Sequence, residues 1–528
     1  MRYLTYFLIC GLTVIFVITS AFYPPALALL APLALLAAIG TYDLMQTRHN
    51  LWRNYPIISR FRWMFEAIRP ELRQYLFESD TDGRPFSREQ RSLVYRRAKA
   101  VNDKNPFGTL YDLSEPGYEW IAHSMTPLSA TERPDTVRVG GPQCERPYHA
   151  SRLNISAMSF GALSANAIHA LNRGACAGGF AHNTGEGGVS RYHLEGGGDL
   201  VWQIASGYFG CRAPNGAFDP DRFAETAASD QIAMIEIKLS QGAKPGHGGI
   251  LPGPKVTAEI ATARGVQAGV DCISPASHPA FSTPVGLLEF IAELRTLSGG
   301  KPIGFKLCVG QPDELMAIVK AIIDTGIYPD FIVVDGAEGG TGSAPLELSN
   351  RVGTPLREAL IMTRNILVGA GLRDHIRIAA SGKVTSGYWL ASNIALGADW
   401  CYSARGFMFA LGCVQSLSCH NDRCPTGVAT QNPTRQRALV VPDKARRVTN
   451  FQRNTVHALM EIVATAGLQH PGELRPAHVC RHLGAGEVGP LSDYYTFLEP
   501  GQLLDGSVPE PYARWWRTAR STRFAAAD

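Results

Sequence analysis

Residues 301–342 read KPIGFKLCVGQPDELMAIVKAIIDTGIYPDFIVVDGAEGGTG. Two short apolar runs in this stretch, Ile303–Leu307 and Phe331–Val334, are typical of buried strands, and the apolar period of Pro312–Thr325 between them is typical of a helix. A strand, a helix and a second strand in this order predict two parallel neighbours in one sheet. The second strand runs into a glycine-rich loop, Asp335–Gly342, where the backbone can approach a ligand.

The same alternation of strand and helix continues on both sides of this stretch. Further strands are predicted at Leu153–Met158, Ala233–Leu239, Asp271–Ser274, Ile376–Ala380 and Trp400–Ser403. Further helices are predicted at Pro284–Leu297, Pro355–Val368 and Tyr388–Leu396. Repeated βα units over about 250 residues predict a parallel sheet, either open or closed into a barrel. The polar and glycine-rich segments follow the strands, which in a barrel is the catalytic face.

The composition is that of a folded protein without excess charge. Of the 528 residues 45% are hydrophobic and 18% are charged, and 50 Lys and Arg against 46 Asp and Glu give a formal net charge of +4. This apolar content is sufficient for a packed core and excludes a chain that is mostly disordered. The charge balance indicates no nucleic-acid partner.

The N-terminus contains an uncharged stretch long enough for two membrane spans. Tyr3–Tyr42 is 40 residues without Asp, Glu, Lys, Arg or His, divided by Pro24-Pro25, and each half approaches the roughly 20 residues that a transmembrane helix needs. Arginines follow the second half, so the positive-inside rule predicts an inner-membrane hairpin with the catalytic domain in the cytoplasm. The alternative is a signal peptide ending near Ala21, which would leave the apolar segment Ala26–Tyr42 unexplained.

These observations divide the chain into four predicted regions. They are a transmembrane helical hairpin at 1–43, a linker and α-rich N-terminal cover at 44–150, a barrel with a cysteine-containing segment at 151–435, and a C-terminal helical extension at 436–528. Short amphipathic stretches, Phe65–Phe77 among them, lie in the second region.

Three cysteines lie close together in the sequence. Cys413, Cys419 and Cys424 form a C-x5-C-x4-C cluster, and converging thiolates are what an iron-sulfur cluster requires. Three ligands suit a 3Fe–4S cluster, whereas a fourth from Cys401 or Cys480 would permit 4Fe–4S. The alternatives are a zinc site, a disulfide or ordinary buried cysteines; the absence of C-x2-C spacing disfavours zinc.

Two further groups of residues predict binding of anions. Asp335–Gly342 and Ser381-Gly382-Lys383 follow neighbouring strands and could hold a phosphate on backbone N–H groups, with tight turns as the alternative. His182–Gly188, Lys238, Gln241–His247 and Lys306 form a polar group whose lysines would be costly to bury without an anion. The alternative for these lysines is a set of internal salt bridges.

These segments resemble the FMN-binding domain of glutamate synthase. The similarity covers about residues 150–435 and is carried, in the same order, by Asn154–Gly161, Asn183–Gly188, Gln241–Gly246, Gly339–Gly342 and the cysteine triplet. The whole chain, including the hairpin and Arg69–Tyr75, resembles the stand-alone FMN-binding glutamate synthase family proteins.

The resemblance implies a TIM (β/α)8 barrel with FMN at its mouth and a 3Fe–4S cluster beside it. It assigns the 2-oxoglutarate side of the flavin to Glu186, Gln241 and Lys244. It assigns cluster ligation to Cys413, Cys419 and Cys424. Cofactor binding is assigned to Met158, Ser159, Lys306, Gly339, Gly340, Thr341, Gly342, Ser381, Gly382, Ala404 and Arg405.

The implied reaction is reductive amination. In this family 2-oxoglutarate and ammonia give 2-iminoglutarate, reduced FMN delivers hydride to the imine carbon, and the cluster passes electrons to FMN. No segment for NAD(P)H oxidation is recognised, so the expected electron donor is a partner, either a ferredoxin or an NAD(P)H-oxidising subunit. Because the chain begins Met1-Arg2 and not with the cysteine of a glutaminase domain, ammonia is expected from solution or another subunit.

One departure from the family pattern bears on the substrate. Ile250 stands where full-length glutamate synthases carry a glutamine that helps to bind 2-oxoglutarate, and an isoleucine cannot make that polar contact. The runner-up function is therefore a membrane-anchored FMN barrel oxidoreductase acting on another 2-oxo or 2-hydroxy acid. A third interpretation is a membrane redox sensor without turnover, against which the presence of Glu186, Lys244 and Lys306 argues.

Overall fold

The centre of the chain is a closed barrel of eight parallel strands. The computed structural model describes residues 2–130, 135–484 and 486–525. The strands are β1 (Leu153–Ile155), β2 (His182–Asn183), β3 (Leu200–Ile204), β4 (Ile232–Lys238), β5 (Ile303–Leu307), β6 (Phe331–Asp335), β7 (Arg377–Ser381) and β8 (Trp400–Ser403). The barrel closes where Cys401 of β8 lies opposite Leu153 of β1.

Helices follow the barrel strands in chain order. They are Ala165–Gly178, Arg191–Leu194, Pro220–Ala227, Pro284–Leu297, Pro312–Thr325, Leu346–Arg351 with Leu356–Gly369, Gly387–Ala395 and Arg405–Leu411. The expected TIM barrel is thus confirmed.

The prediction from the sequence missed two barrel strands and placed a third in the barrel wrongly. β2 has only two residues, both polar, and therefore shows no periodic pattern. β3 is buried at every position and includes the polar Gln203, which interrupts its apolar run. The strand predicted at Asp271–Ser274 lies outside the barrel: Cys272–Ile273 pairs antiparallel with Ile250–Leu251. That pair belongs to an insertion between β4 and its helix, which also contains Gly253–Lys255 and Ala258–Arg264.

The inside of the barrel is apolar at its N-terminal end. Met234, Val333 and Trp400 belong there to one buried cluster. An antiparallel hairpin, Thr136–Val139 with Tyr148–Ser151, contributes Val137, Val139 and Ala150 to the same cluster. The hairpin therefore closes the end of the barrel that lies opposite the polar loops.

The remaining elements pack outside the barrel. The long helix Val441–Thr465 packs on Ala165–Gly178 and on Arg88–Lys99. A three-stranded antiparallel sheet is formed by Glu119–Ile121, Val479–Gly484 and Glu487–Pro490. The shorter helical elements are Pro433–Arg437, Pro471–Glu473, Pro476–His478, Leu491–Tyr494 and Tyr512–Thr518.

The chain forms two compact units, Met1–Gly83 and Arg84–Asp528. The first contains the helices Leu4–Phe22, Pro24–Ala26, Leu27–Met45, Asn50–Asn54, Ser59–Leu72 and a π-helical turn at Arg73–Phe77. Leu4–Phe22 and Pro24–Met45 are long and apolar enough to cross a membrane, with hydropathies of 2.1 and 1.8. The membrane hairpin and the four region boundaries stay predictions.

A buried carboxylate ties the barrel together at its N-terminal end. Asp330 is fully buried and accepts hydrogen bonds from Arg295 Nη2 at 3.0 Å, from the Ile303 backbone N–H at 2.7 Å and from the Gly141 backbone N–H at 2.7 Å. It thereby joins the start of β5, the start of β6 and the loop after Thr136–Val139.

Asp330→Ala should lower the free energy of unfolding by about 3–5 kcal/mol, because Arg295 would stay buried without its partner. Urea unfolding of the full-length protein in detergent, followed by tryptophan fluorescence, measures this loss. The exposed Asp374→Ala is the control and should change stability by less than about 0.5 kcal/mol. A loss below about 1 kcal/mol for Asp330→Ala would contradict this account.

Candidate functional site

A cavity of about 1120 Å³ opens at the C-terminal ends of the barrel strands. It is lined by all fourteen residues that the sequence assigned to catalysis and cofactor binding: Glu186, Gln241, Lys244, Met158, Ser159, Lys306, Gly339, Gly340, Thr341, Gly342, Ser381, Gly382, Ala404 and Arg405. The barrel thus brings together side chains and loops from seven separate segments of the chain.

Strand alternation explains why charged side chains enter this cavity. Alternate residues of a barrel strand point inward, and Met234 and Val333 do so in the apolar layer. Lys238 follows Met234 by four residues in β4, and Asp335 follows Val333 by two in β6, so both also point inward. Lys306 lies opposite Lys238 in the β4–β5 pairing. Each lines the cavity at the mouth.

Two of the lysines at the mouth form internal salt bridges. Lys238 Nζ lies 2.9 Å from Glu186 Oε2, and Lys306 Nζ lies 3.3 Å from Asp335 Oδ2. Burial alone would raise the pKa of Glu186, but Lys238, Lys244 and Arg264 lower it to about 2. Glu186 is therefore ionised throughout the neutral range. Burial lowers the pKa of Lys306, but nearby carboxylates, Asp335 foremost, raise this pKa above its ordinary value.

Lys244 differs from these two lysines because its ammonium has no partner among the described residues. Its exposed fraction is only 7%, and it makes no side-chain hydrogen bond or ion pair with any residue that the structure describes. Burial lowers the pKa of Lys244, while the Glu186 carboxylate raises it in part. An ammonium group in this position at a cavity wall is able to accept an anionic ligand.

The loops after β4 and β6 meet at one point. The Gly242 backbone N–H donates to Asp335 Oδ2 at 2.9 Å, and a Cβ added at Gly242 would lie 1.9 Å from the carbonyl oxygen of Gly336. Only glycine permits this approach. It brings the segment that carries Gln241 and Lys244 against the glycine-rich loop that follows β6.

The glycine-rich loop is held by an arginine from the segment after β8. Arg405 Nη2 donates to the Thr341 carbonyl oxygen, and a Cβ added at Gly340 would lie 2.8 Å from Arg405 Nε. An added Cβ at Gly342 would meet no atom within 4 Å. The loop is therefore packed on one side and open to the cavity on the other, beside the basic side chains of Arg405 and Lys383.

Several residues of the site were not assigned a role from the sequence. Asp335 is the partner of Lys306 and the acceptor for Gly242, and its position as the last residue of β6 was a usable signal. Arg264 lines the cavity and donates to Ser159 Oγ at 3.4 Å and to the Phe160 carbonyl oxygen at 3.3 Å. It comes from a short helix in the insertion, where no motif marks it.

The three clustered cysteines are near one another at the edge of this cavity. Cys419 lines the cavity, whereas Cys413 and Cys424 are buried. The pKa of Cys413 is raised to about 11, chiefly by burial, and the nearby thiols of Cys419 and Cys424 contribute to this rise. Within the three described ranges, no group of three or more His, Cys, Asp or Glu side chains is arranged to hold a single metal ion.

Cys424 has the surroundings of a thiolate. Burial would raise its pKa, but hydrogen bonds from the Thr426 hydroxyl and from backbone N–H groups of residues 426, 428 and 429 lower it. Hydrogen bonds to sulfur are typical around iron-sulfur ligands. Cys401 instead accepts a hydrogen bond from Asn393 Nδ2, at 3.8 Å from its Sγ atom. Cys480 lies in the three-stranded sheet opposite Trp120.

Ile250 lies at the wall of the same cavity, with an exposed fraction of 48%. Gly249 beside it is packed against the Glu186 carboxylate, since an added Cβ would lie 2.5 Å from Glu186 Oε1. The insertion therefore presents an apolar side chain to the cavity next to Glu186.

The chain is similar to proteins of one family over most of its length. The family model described as the conserved region in glutamate synthase matches residues 120–469. The glutamate synthase large subunit-like protein YerD of Bacillus subtilis strain 168 is 39% identical over 489 residues, covering 85% of this chain and 93% of that protein. The archaeal-type glutamate synthase (NADPH) of Thermotoga neapolitana is 34% identical over 321 residues, covering 61% of this chain and 60% of that protein. The chain therefore belongs to the glutamate synthase family, whose members are oxidoreductases acting on CH–NH2 donors.

Proposed function

We propose that this chain is an FMN- and iron-sulfur-dependent oxidoreductase that aminates 2-oxoglutarate, or a close dicarboxylic 2-oxo acid, with ammonia to give the amino acid. The observation that carries the proposal is the unpaired, buried ammonium of Lys244 beside the ionised carboxylate of Glu186. A substrate carboxylate would neutralise Lys244, and the nearby negative charge would stabilise a cationic imine.

The residues at the cavity fit FMN. The phosphate would lie against the open side of Gly339–Gly342 and the turn at Ser381-Gly382, near Arg405 and Lys383, where backbone N–H groups and two cations converge. Lys306, held by Asp335, would help to bind the flavin ring. When bound and reduced, FMN supplies the hydride that converts the imine to the amine.

The protein residues position the other reactant. Lys244 would bind one substrate carboxylate by a charge-assisted hydrogen bond, and Gln241 on the same loop would bind a polar oxygen of the substrate. Glu186 would direct the imine nitrogen. Its salt bridge to Lys238 keeps it oriented, so that its charge is in place before the substrate arrives.

We propose that Cys413, Cys419 and Cys424 hold the iron-sulfur cluster. Three neighbouring thiols without C-x2-C spacing fit an iron-sulfur cluster better than a zinc site. The hydrogen bonds that lower the pKa of Cys424 support a thiolate ligand. The surroundings of Cys401 and Cys480 support three ligands and a 3Fe–4S cluster.

The remaining reactants would come from outside the chain. Electrons would come from a ferredoxin or an NAD(P)H-oxidising subunit, and ammonia from solution or another subunit. We propose that Leu4–Phe22 and Pro24–Met45 anchor the protein in the inner membrane with the barrel in the cytoplasm.

A second candidate function is supported by Ile250. Its half-exposed apolar side chain at the cavity wall would favour a 2-oxo or 2-hydroxy acid that is less polar than 2-oxoglutarate. In that case FMN and the cluster would serve a membrane-anchored oxidoreductase of different substrate specificity.

Lys244→Met should raise the apparent KM for 2-oxoglutarate by about 10- to 150-fold, because the lost charge-assisted hydrogen bond is worth roughly 1.5–3 kcal/mol. The FMN content should stay normal, since methionine has a similar length and Lys244 holds no protein group. Initial rates with a chemical reductant at varied 2-oxoglutarate measure the change.

The exposed Lys104→Met serves as the control and should leave the KM unchanged. An unchanged KM in Lys244→Met would remove Lys244 as the carboxylate anchor. If the wild-type protein turned over another 2-oxo acid but not 2-oxoglutarate, that result would favour the second candidate function.

Cys419→Ser should remove the iron-sulfur signal while FMN remains bound, because the three thiols serve the cluster and not the flavin. Anaerobic purification followed by measurement of iron, sulfide and FMN and by electron paramagnetic resonance tests this. Cys176→Ser, at an exposed cysteine, should retain both cofactors. Zinc in place of iron in the wild type would refute the cluster.

A further inference from the structure

The N-terminal unit carries an exposed apolar stripe on the segment after the two apolar helices. The stripe runs along Ser59–Leu72 and Arg73–Phe77. In the first of these helices its side chains recur at spacings of three and four residues, as on one face of a helix, and three consecutive residues of the π-helical turn continue it. Each of them is exposed: Phe61, Met64, Phe65, Ile68, Tyr75, Leu76 and Phe77. An apolar stripe of this length on a protein surface marks an interaction site.

The stripe has a fixed position relative to the apolar helix that precedes it. Asp43, buried near the end of that helix, accepts hydrogen bonds from Arg60 Nη2 at 2.7 Å and from the Ile57 backbone N–H at 3.0 Å. Gly40 permits close packing here, because an added Cβ would lie 2.5 Å from Tyr6 and 2.9 Å from Ile57. The stripe therefore begins directly beside the end of the second apolar helix.

The same segment carries an excess of positive charge. Residues 46–77 contain six arginines and two glutamates. Arg60 is neutralised by Asp43, whereas the side chains of Arg62 and Arg73 are largely exposed and lie at the longer distances of 4.0 Å from Glu66 and 3.8 Å from Glu78. Apolar and aromatic side chains flanked by arginines are the pattern of helices that lie in the interface of an anionic membrane.

We propose that residues 59–77 lie in the membrane interface, with the apolar stripe at the level of the acyl chains and the arginines on anionic phospholipid headgroups. The proposal rests on the proposed anchoring by Leu4–Phe22 and Pro24–Met45. A lipid surface is the occupant that fits both features: the contact with Asp43 keeps the stripe at the end of the second apolar helix, and the exposed side chains of Arg62 and Arg73 complement anionic headgroups.

Photocrosslinking in the full-length protein tests the proposal. The photoreactive p-benzoylphenylalanine replaces Phe65, which is 56% exposed, in protein reconstituted into nanodiscs of phosphatidylcholine with or without phosphatidylglycerol. The matched control replaces Leu504, which is 57% exposed and lies in the barrel unit. A second control replaces Leu35, which is 62% exposed in the second apolar helix. Mass spectrometry of the labelled peptides identifies the partner.

The expected result is a lipid adduct at Phe65 at least about fivefold more abundant than at Leu504, and more abundant with phosphatidylglycerol than without it. Combining Arg62→Gln, Arg69→Gln and Arg73→Gln should lower the adduct at least about twofold in anionic nanodiscs.

The other possible outcomes distinguish failure of the interfacial placement from failure of the membrane anchor. Lipid adducts at Leu35 with none at Phe65 would overturn the interfacial placement and leave the anchor intact. Absence of lipid adducts at both positions would overturn the anchor as well. Crosslinks from Phe65 to peptides of residues 84–528, or to a differently isotope-labelled second copy, would replace the lipid surface by a protein contact.

Discussion

The Asp335 carboxylate joins the elements from which the site is built. It ends β6, forms a salt bridge with Lys306 of β5 and accepts the Gly242 backbone N–H. The glycine-rich loop starts at the next residue, and Lys244 follows Gly242 by two. If Asp335 were uncharged, Lys306 would lose its salt-bridge partner, and the loop after β4 would lose one of the hydrogen bonds that hold it against the segment after β6. Asp335 therefore connects three of the elements that surround the cavity.

The distribution of charge around the cavity separates structure from ligand binding. Lys238 and Lys306 are neutralised by Glu186 and Asp335, so they stiffen the barrel mouth without needing a ligand. Lys244 has no such carboxylate partner among the described residues. A buried charge without a partner costs folding free energy. An anionic substrate that binds to Lys244 would offset this cost, which explains the presence of a lysine at this position of the cavity wall.

The sequence predicted the parts that are encoded by local pattern. The helix Pro312–Thr325 and the strand Ile303–Leu307 match in both bounds, because apolar period and proline mark them. β2 was missed since a two-residue strand has no period, and its place is set by the neighbours that pair with it. The glycine loops and the cysteine triplet were visible as motifs, whereas the pairing of Lys238 with Glu186 was not. It joins residues 52 positions apart, which no local pattern records.

The most direct measurement is the fate of isotopically labelled ammonium in the wild-type protein. Anaerobic full-length protein with its flavin chemically reduced is mixed with 15N-ammonium and 2-oxoglutarate, and the products are identified by mass spectrometry. The account predicts 15N-glutamate, one molecule for each two electrons consumed, together with reoxidation of the flavin. A flavin that stays reduced while 2-oxoglutarate persists unchanged would contradict it.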